Sequence, residues 1–249
     1  MDGVLWRGDE PLPGMVDFLN MLRARGIPFV LATNNSSKTP ANYVAKLAKL
    51  GVPDVSETQV ITSGMATAAY LQERTPAGTR VYVVGGDGLR EIMRGAGFTV
   101  CDTDVDFVVA GMDPDLTYEK LKRGALLIRA GATFIGTNAD RTFPTPEGLV
   151  PGAGSVLAAL ETATDQQPTI IGKPYDPMFR TALHTLGTLP DDTLMIGDRL
   201  NTDIAGALHM GLPTLLVLSG VTRREELETG DIQPDWVYEN LAALLADWG

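Results

Sequence analysis

Apolar positions along this chain recur at two spacings, and their alternation sets the fold class. Short β-prone apolar runs stand at 28–32, 60–62, 80–84, 106–110, 133–135, 169–171, 193–196, 213–218 and 236–238. Between them lie segments with one apolar face at helical spacing, such as Met15, Phe18, Leu19 and Leu22, or Ala41, Val44 and Leu47. Strands that alternate with helices predict an α/β fold with parallel pairing, because the return to the same sheet edge needs a crossover. Punctuation agrees with this reading. Pro13 and Gly26 bound the first helix, Thr39 with Pro40 opens the second and Gly51 closes it, and Ser63 is expected to cap a helix reaching Leu71.

A second strand-and-helix series starts near Thr79, after the break Pro76-Ala77-Gly78, with apolar faces of its own. It is enough for a further small α/β domain over 79–152, flanked by a core of 1–78 and 153–249. Within it, Gly85-Gly86-Asp87-Gly88 has neither the spacing of a dinucleotide fingerprint nor the Lys-Ser/Thr of a P-loop, and reads as a turn. The polar segment from Asn138 through Asp140 and Phe143 to Pro144, stiffened by Pro144, Pro146 and Pro151, reads as a loop, the kind of element that commonly carries specificity.

Polar residues gather where the predicted strands end, which is where open parallel sheets bind ligands. Asp198 and Asp203 flank a strand-to-helix turn. They suit hard oxygen ligation of a divalent cation, but taken alone the motif favours a turn acid and a helix-dipole or N-cap acid, a common job for either residue. Thr33-Asn34-Asn35-Ser36-Ser37 precedes a helix, where hydroxyl, amide and backbone N–H groups make an anion cradle; ordinary turn chemistry accounts for the same residues. Pro174 biases Lys173 away from helical geometry and leaves its ammonium at a strand end.

Composition narrows the function classes. The formal charge of −11, without a Lys/Arg cluster, argues against nucleic-acid binding. No run of eighteen apolar residues predicts a spanning helix, and no basic-then-apolar leader precedes the first helix, so a cytoplasmic protein with no membrane partner is expected. Cys101 has no partner for a disulfide or a zinc site. Neither His184 nor His209 lies in a strand-end loop, and no Gly-x-Ser-x-Gly elbow exists, which disfavours histidine and serine catalysis.

In order, Asp2-Gly3-Val4-Leu5, Thr33-Asn34-Asn35-Ser36, Gly172-Lys173-Pro174 and Gly197-Asp198 with Asp203 resemble the four-motif signature of the haloacid dehalogenase superfamily. Thr137-Asn138-Ala139-Asp140 with Phe143-Pro144, and Pro151-Gly152-Ala153-Gly154-Ser155, are similar to the NagD-like branch of nitrophenyl, phosphoglycolate and pyridoxal phosphatases. The resemblance implies a Rossmann-like parallel-sheet core that binds magnesium, an inserted α/β cap domain, and hydrolysis of a small phosphorylated metabolite. It implies that Thr33, Asn34 and Asn35 hold phosphoryl oxygens, that Lys173 neutralises nucleophile and phosphate, and that Asp198 ligates magnesium with Asp203 supporting it. Asp2 would be the general acid/base, its carbonyl also touching the metal, with Asn138, Asp140 and Phe143 setting specificity. A homodimer through the cap is a family-level expectation. The family reads Asp-x-Asp-Gly, and here Met1 stands at the x position, so the nucleophilic Asp is expected directly before Met1 and is absent from this chain. The alternative is an inactive relative that binds magnesium and a phosphorylated metabolite without turnover.

Overall fold

The computed structural model describes residues 1–145 and 147–248, without the side chain of Pro144; Pro146, one of the three stiffening prolines, lies outside the described residues. Contacts divide the chain into two compact units. The first comprises Met1–Ala32, Ala41–Val60 and Lys173–Gly249, and the second Thr33–Pro40 and Ile61–Gly172. These lines differ from the expected cap boundaries at 79 and 152. The helix Ser63–Gln72 packs on Asp87–Gly95, with Gly64 against Leu89 and Ile92, and the strand Thr169–Ile170 extends the second unit's sheet, so both segments join that unit.

That sheet has five parallel strands in the order Thr169–Ile170, Thr133–Gly136, Phe107–Ala110, Arg80–Val84, Thr99–Val100. Its two central strands are almost wholly apolar, as strands covered on both faces must be. Val84, Val108, Ala110, Ile128, Phe134 and Leu160 form the core between sheet and helices. Helix Tyr118–Arg129 comes close because Gly124 has no side chain; a Cβ there would stand 2.9 Å from Val84 Cγ2. The first strand in sequence, Arg80–Val84, has later strands on both sides, so the strand order reverses at its C-terminal end.

In the first unit, Met195–Gly197, Thr214–Val217 and Trp236–Tyr238 form a parallel three-stranded sheet. Trp6, Met15, Leu19, Leu47, Leu215 and Leu244 centre its core. Trp6 is 1% exposed; it stacks on Tyr43 at 6.4 Å between centroids and carries the Lys46 ammonium over its ring at 4.9 Å. An apolar slot of about 320 Å³ is lined by Leu31 and Ala32 from one strand, by Met195, Ile196 and Gly197 from another, and by Phe18 and Phe179 from helices. Among the described residues no helix is long and apolar enough to cross a membrane.

Most predicted elements are present, and the departures have physical causes. The cap of Ser63–Gln72 is Thr62, whose hydroxyl accepts from Met65 N at 3.2 Å, and Ser63 turns instead to the carbonyl of Asn34. The segment expected as a loop up to Pro144 becomes a strand at Thr142–Thr145, paired antiparallel with Gly148–Pro151. Phe143 faces Val150 across the ladder, and Gly148, at φ +128°, makes the tight return. The run 28–32 forms a ladder only at Leu31–Thr33. Since Leu160 is fully buried between helix and sheet, Leu160→Ala should lower unfolding free energy by about 2–5 kcal/mol in denaturant titration, and a change within 0.5 kcal/mol of zero would mean that this core is loosely packed.

Candidate active site

The strand Met195–Gly197 is followed by a wide helical turn, Leu200–Ile204, which runs into the helix Ala205–His209. The turn carries Asp203 back beneath the strand end. A Cβ on Gly197 would lie 2.2 Å from Asp203 Cβ, so only glycine permits this return. Asp203 is 4% exposed, and both its oxygens are engaged. Oδ1 accepts from the Lys173 ammonium at 2.7 Å, and Oδ2 accepts from the backbone N–H groups of Asp198 and Arg199 at 3.2 Å each. One carboxylate therefore fixes both the lysine and the loop that carries Asp198.

Asp198 is 5% exposed. Its carbonyl accepts from Thr222 N at 3.1 Å and its Oδ2 from Val221 N at 3.0 Å, while Oδ1 has no hydrogen bond among the described residues. Glycines crowd this carboxylate: a Cβ on Gly3 would fall 2.3 Å from Oδ2, and one on Gly220 2.1 Å from it. Burial pushes the Asp198 carboxyl above its ordinary pKa, and the Asp203 charge pushes it further the same way. Burial would raise Asp203 as well, but the adjacent Lys173 ammonium outweighs it and holds that carboxyl below the ordinary range. A buried, hard-oxygen group in a glycine-walled cradle, destabilised as an anion, fits a small divalent cation. Among the described residues no three His, Cys, Asp or Glu side chains gather as a metal-holding group.

Asp2 lies next to this carboxylate through Gly3. Its Oδ1 accepts from Trp6 Nε1 at 2.9 Å, and the carbonyl of Gly3 accepts from Ser219 Oγ at 2.8 Å. The first unit thus brings together Lys173, Asp198 and Asp203, while the Asp2 carboxylate turns to Trp6 and reaches this group only through the backbone of Gly3. Sequence reasoning missed the N–H groups of Val221 and Thr222 and the indole of Trp6, since backbone donors and long-range partners leave no local pattern.

The second unit gathers the other set. Asn35 N donates to Thr33 Oγ1 at 3.3 Å, and Ser37 donates to Asn35 Oδ1 from its N at 2.8 Å and its Oγ at 2.7 Å. The carbonyl of Asn34 accepts from Ser63 Oγ and, at 2.6 Å, from Asn138 Nδ2. Asn34 Nδ2 donates to Asp140 Oδ2 at 3.2 Å, Asp140 N donates to Asn138 Oδ1 at 3.0 Å, and the hydroxyls of Ser36 and Thr137 meet at 3.1 Å. Asn138 and Asp140 therefore brace the Thr33–Asn35 loop, while Phe143 stands apart in the hairpin, half-buried opposite Val150. The signal for Ser36 and Thr137 was present in the sequence as the dense run of small hydroxyl and amide residues, without indication of which pairs would meet.

Two family models match the chain: haloacid dehalogenase-like hydrolase over residues 1–99 and HAD-hydrolase-like over residues 170–244. The chain is 40% identical over 241 residues to the 5′-nucleotidase YutF of Bacillus subtilis, spanning 97% of this chain and 93% of that one. It is 36% identical over 248 residues to an acid sugar phosphatase of Staphylococcus aureus, spanning 99% and 95%. Among solved structures it superposes on the 4-nitrophenylphosphatase of Thermotoga maritima with a TM-score of 0.94 at 37% identity, covering 99% of this chain and 94% of that one. NagD of Escherichia coli matches with a TM-score of 0.91 at 35% identity, over 97% and 94%. The glycerol phosphate phosphatase of Mycobacterium tuberculosis in complex with magnesium gives 0.91 at 34% identity, over 98% and 74%.

The Lys173–Asp203 pair gives a pH signature. Because the folded pKa of Asp203 is depressed, its stabilisation is fully present above the unfolded carboxylate value of about 4 and is lost as pH falls through the lower folded value. In metal-free buffer, Asp203→Asn should flatten this acid limb of the stability curve and cost about 3–5 kcal/mol at neutral pH, by stranding a buried ammonium. An unchanged acid limb in urea titrations from pH 2 to 7 would remove Asp203 as its source.

Proposed function

The chain is a phosphatase that belongs to the haloacid dehalogenase-like hydrolases, in their NagD-like branch, and on that footing we propose that it is magnesium-dependent and hydrolyses small phosphorylated metabolites through an aspartyl-phosphate. The observation that carries this reading is the buried trio Lys173, Asp203 and Asp198 at the strand ends, with the ammonium 2.7 Å from one carboxylate and the other carboxylate in a glycine-walled cradle. Asp198, with the carbonyl of Asp2, would hold magnesium. The cation would supply positive charge against the phosphoryl oxygens.

The remaining roles fall to this chain's own side chains. Asp203 orients Lys173, whose ammonium lowers the repulsion between an attacking carboxylate and an anionic phosphate. Thr33, Asn34 and Asn35 donate to the phosphoryl oxygens, and their bracing by Asn138 and Asp140 keeps them in place as charge spreads over those oxygens. Asp2, hydrogen-bonded to Trp6, exchanges a proton with the leaving group and then with water. Phe143 is left as the apolar group that would rank substrates, with Asn138 and Asp140 acting on specificity through Asn34. The attacking carboxylate is an Asp directly before Met1. The slot lined by Leu31, Ala32 and Met195–Gly197, which Met1, Lys173 and Asp203 also border, supports this, because it offers apolar walls and strand edges to an extended segment. The second reading, binding without turnover, draws on the Lys173–Asp203 pair and the cradle of Asp198, which suit an anion and a cation without themselves supplying an attacking group.

Two expectations separate these readings. Asp198→Asn should weaken magnesium binding far more than Asp203→Asn in calorimetric titration, and equal losses would count against these direct and supporting roles. With 4-nitrophenyl phosphate, a chain carrying Asp directly before Met1 on an apolar strand should turn over only with magnesium, whereas Asn at that position should keep the stability and abolish turnover. Turnover by the chain from Met1 onward would transfer the attack to water or another residue; phosphate binding without turnover in the Asp-bearing chain would establish the second reading.

A further inference from the structure

The run Gly85-Gly86-Asp87-Gly88 reads from sequence as a plain turn, and the structure gives it a neighbour that changes this. It follows the strand Arg80–Val84, where the second unit's strand order reverses, and it opens the helix Asp87–Gly95. Such a crevice is where parallel sheets commonly take a ligand. Here the chain's own loop fills it. A Cβ on Gly88 would lie 2.5 Å from the carbonyl oxygen of Ser37, 2.9 Å from its carbonyl carbon and 3.0 Å from Lys38 Cα. From the next strand end, a Cβ on Gly111 would lie 2.6 Å from Thr137 Oγ1 and 2.7 Å from Ser36 Oγ. Because the atoms facing Gly88 are backbone atoms, no side-chain rotation relieves an added methyl group, and the loop itself must move.

We propose that Gly88 is a positioning residue for phosphate binding: its missing side chain sets the seat of Ser37, and Ser37 sets the orientation of Asn35. The relay is geometric. Ser37 N–H is an obligate donor, so the Asn35 atom it meets at 2.8 Å is the oxygen, and Ser37 Oγ holds the same atom at 2.7 Å. With Oδ1 committed inward, Nδ2 is the end of the amide left for an anion. Displacing Ser37 turns that donor away. The inference rests on reading Thr33, Asn34 and Asn35 as the phosphate-binding loop, and it adds the residue that holds this loop at its working height.

The test is calorimetric titration of the full chain with inorganic phosphate, which needs no turnover. Gly88→Ala should weaken phosphate binding by roughly tenfold to a hundredfold, the scale of an ångström-sized misplacement. Gly95→Ala, in the same helix but with nothing within 4 Å of the added Cβ, should leave it unchanged. In an Asn35→Ala background, Gly88→Ala should cost no more than about twofold further, because coupled sites are not additive. A folded Gly88→Ala that binds phosphate like the parent, or a full additional loss in the Asn35→Ala background, would overturn the proposal. Should Gly88→Ala fail to fold, Ser37→Ala decides: it removes one of the two donors to Asn35 without touching the backbone, and undiminished phosphate binding would refute the relay. If Asn35→Ala itself leaves phosphate binding intact, the loop is not the phosphate site and both readings fall; a loss in Asn35→Ala with none in Gly88→Ala sinks the positioning role alone.

Discussion

A buried ammonium and a buried carboxylate in contact are the constraint that the first unit is built around. Taken singly, Lys173 at 7% exposure and Asp203 at 4% would each lose several kcal/mol of hydration with no partner to offset it. Together, and with the second carboxylate oxygen engaged by two backbone N–H groups, they are held as a pair. Other features follow from keeping them so. The turn after Met195–Gly197 must be wide enough to bring Asp203 under the strand end, and position 197 must lack a side chain. A pair of this kind adds little net stability over an apolar substitute. Its value lies in holding a fixed positive charge beside Asp198 in a place from which water is largely excluded, where that charge acts on an anion most strongly.

Asp198 and Asp203 stand five residues apart and have opposite electrostatic fates. Both are buried, so burial alone raises both. What divides them is the Lys173 ammonium held against Asp203, which lowers that carboxyl, while the Asp203 charge raises Asp198. The uncompensated negative character therefore falls on Asp198, with one oxygen held by Val221 N. The chain's overall charge of −11 has little bearing on this, because most of its acids lie on the surface in water. The local imbalance is what makes a hard cation the natural complement of Asp198.

Legibility in the sequence followed the range of each interaction. Nearly every helix and most strands could be read, since 3.6-residue and unbroken apolar periodicities are local. The strand-end positions of Asp198 and Lys173 followed from the same periodicity. The hairpin Thr142–Thr145/Gly148–Pro151 was read as a loop, because Pro144 and Pro146 argue against a strand and only the ladder with Leu149 and Val150 overrides them. The cap at Thr62 was assigned one residue late: Ser63 is an equally good capping residue, and the deciding fact is a bond to Asn34, distant in sequence. Asn138 and Asp140 were marked for specificity, yet their hydrogen bonds run to Asn34, more than a hundred residues earlier. No local pattern encodes such a partner.

The same limit explains why glycine was under-read throughout. A glycine between polar residues looks like a turn, and for many positions in this chain that is its whole role. At Gly197 and Gly220 the requirement comes instead from an acidic side chain that occupies the space a Cβ would take, at Gly3 from such a side chain together with a φ of +76°, and at Gly88 from the backbone of Ser37. Sequence shows that a side chain is missing; only the fold shows what has come into the gap. In both units the group that comes in belongs to the proposed site: Asp198 and Asp203 in the first, the Thr33–Ser37 loop in the second. Close approach of backbone to functional group is thus a shared way of fixing position here. It excludes water without adding a polar side chain that would itself need a partner, and it leaves the few donors and acceptors of each set aimed by main-chain geometry rather than by rotamers.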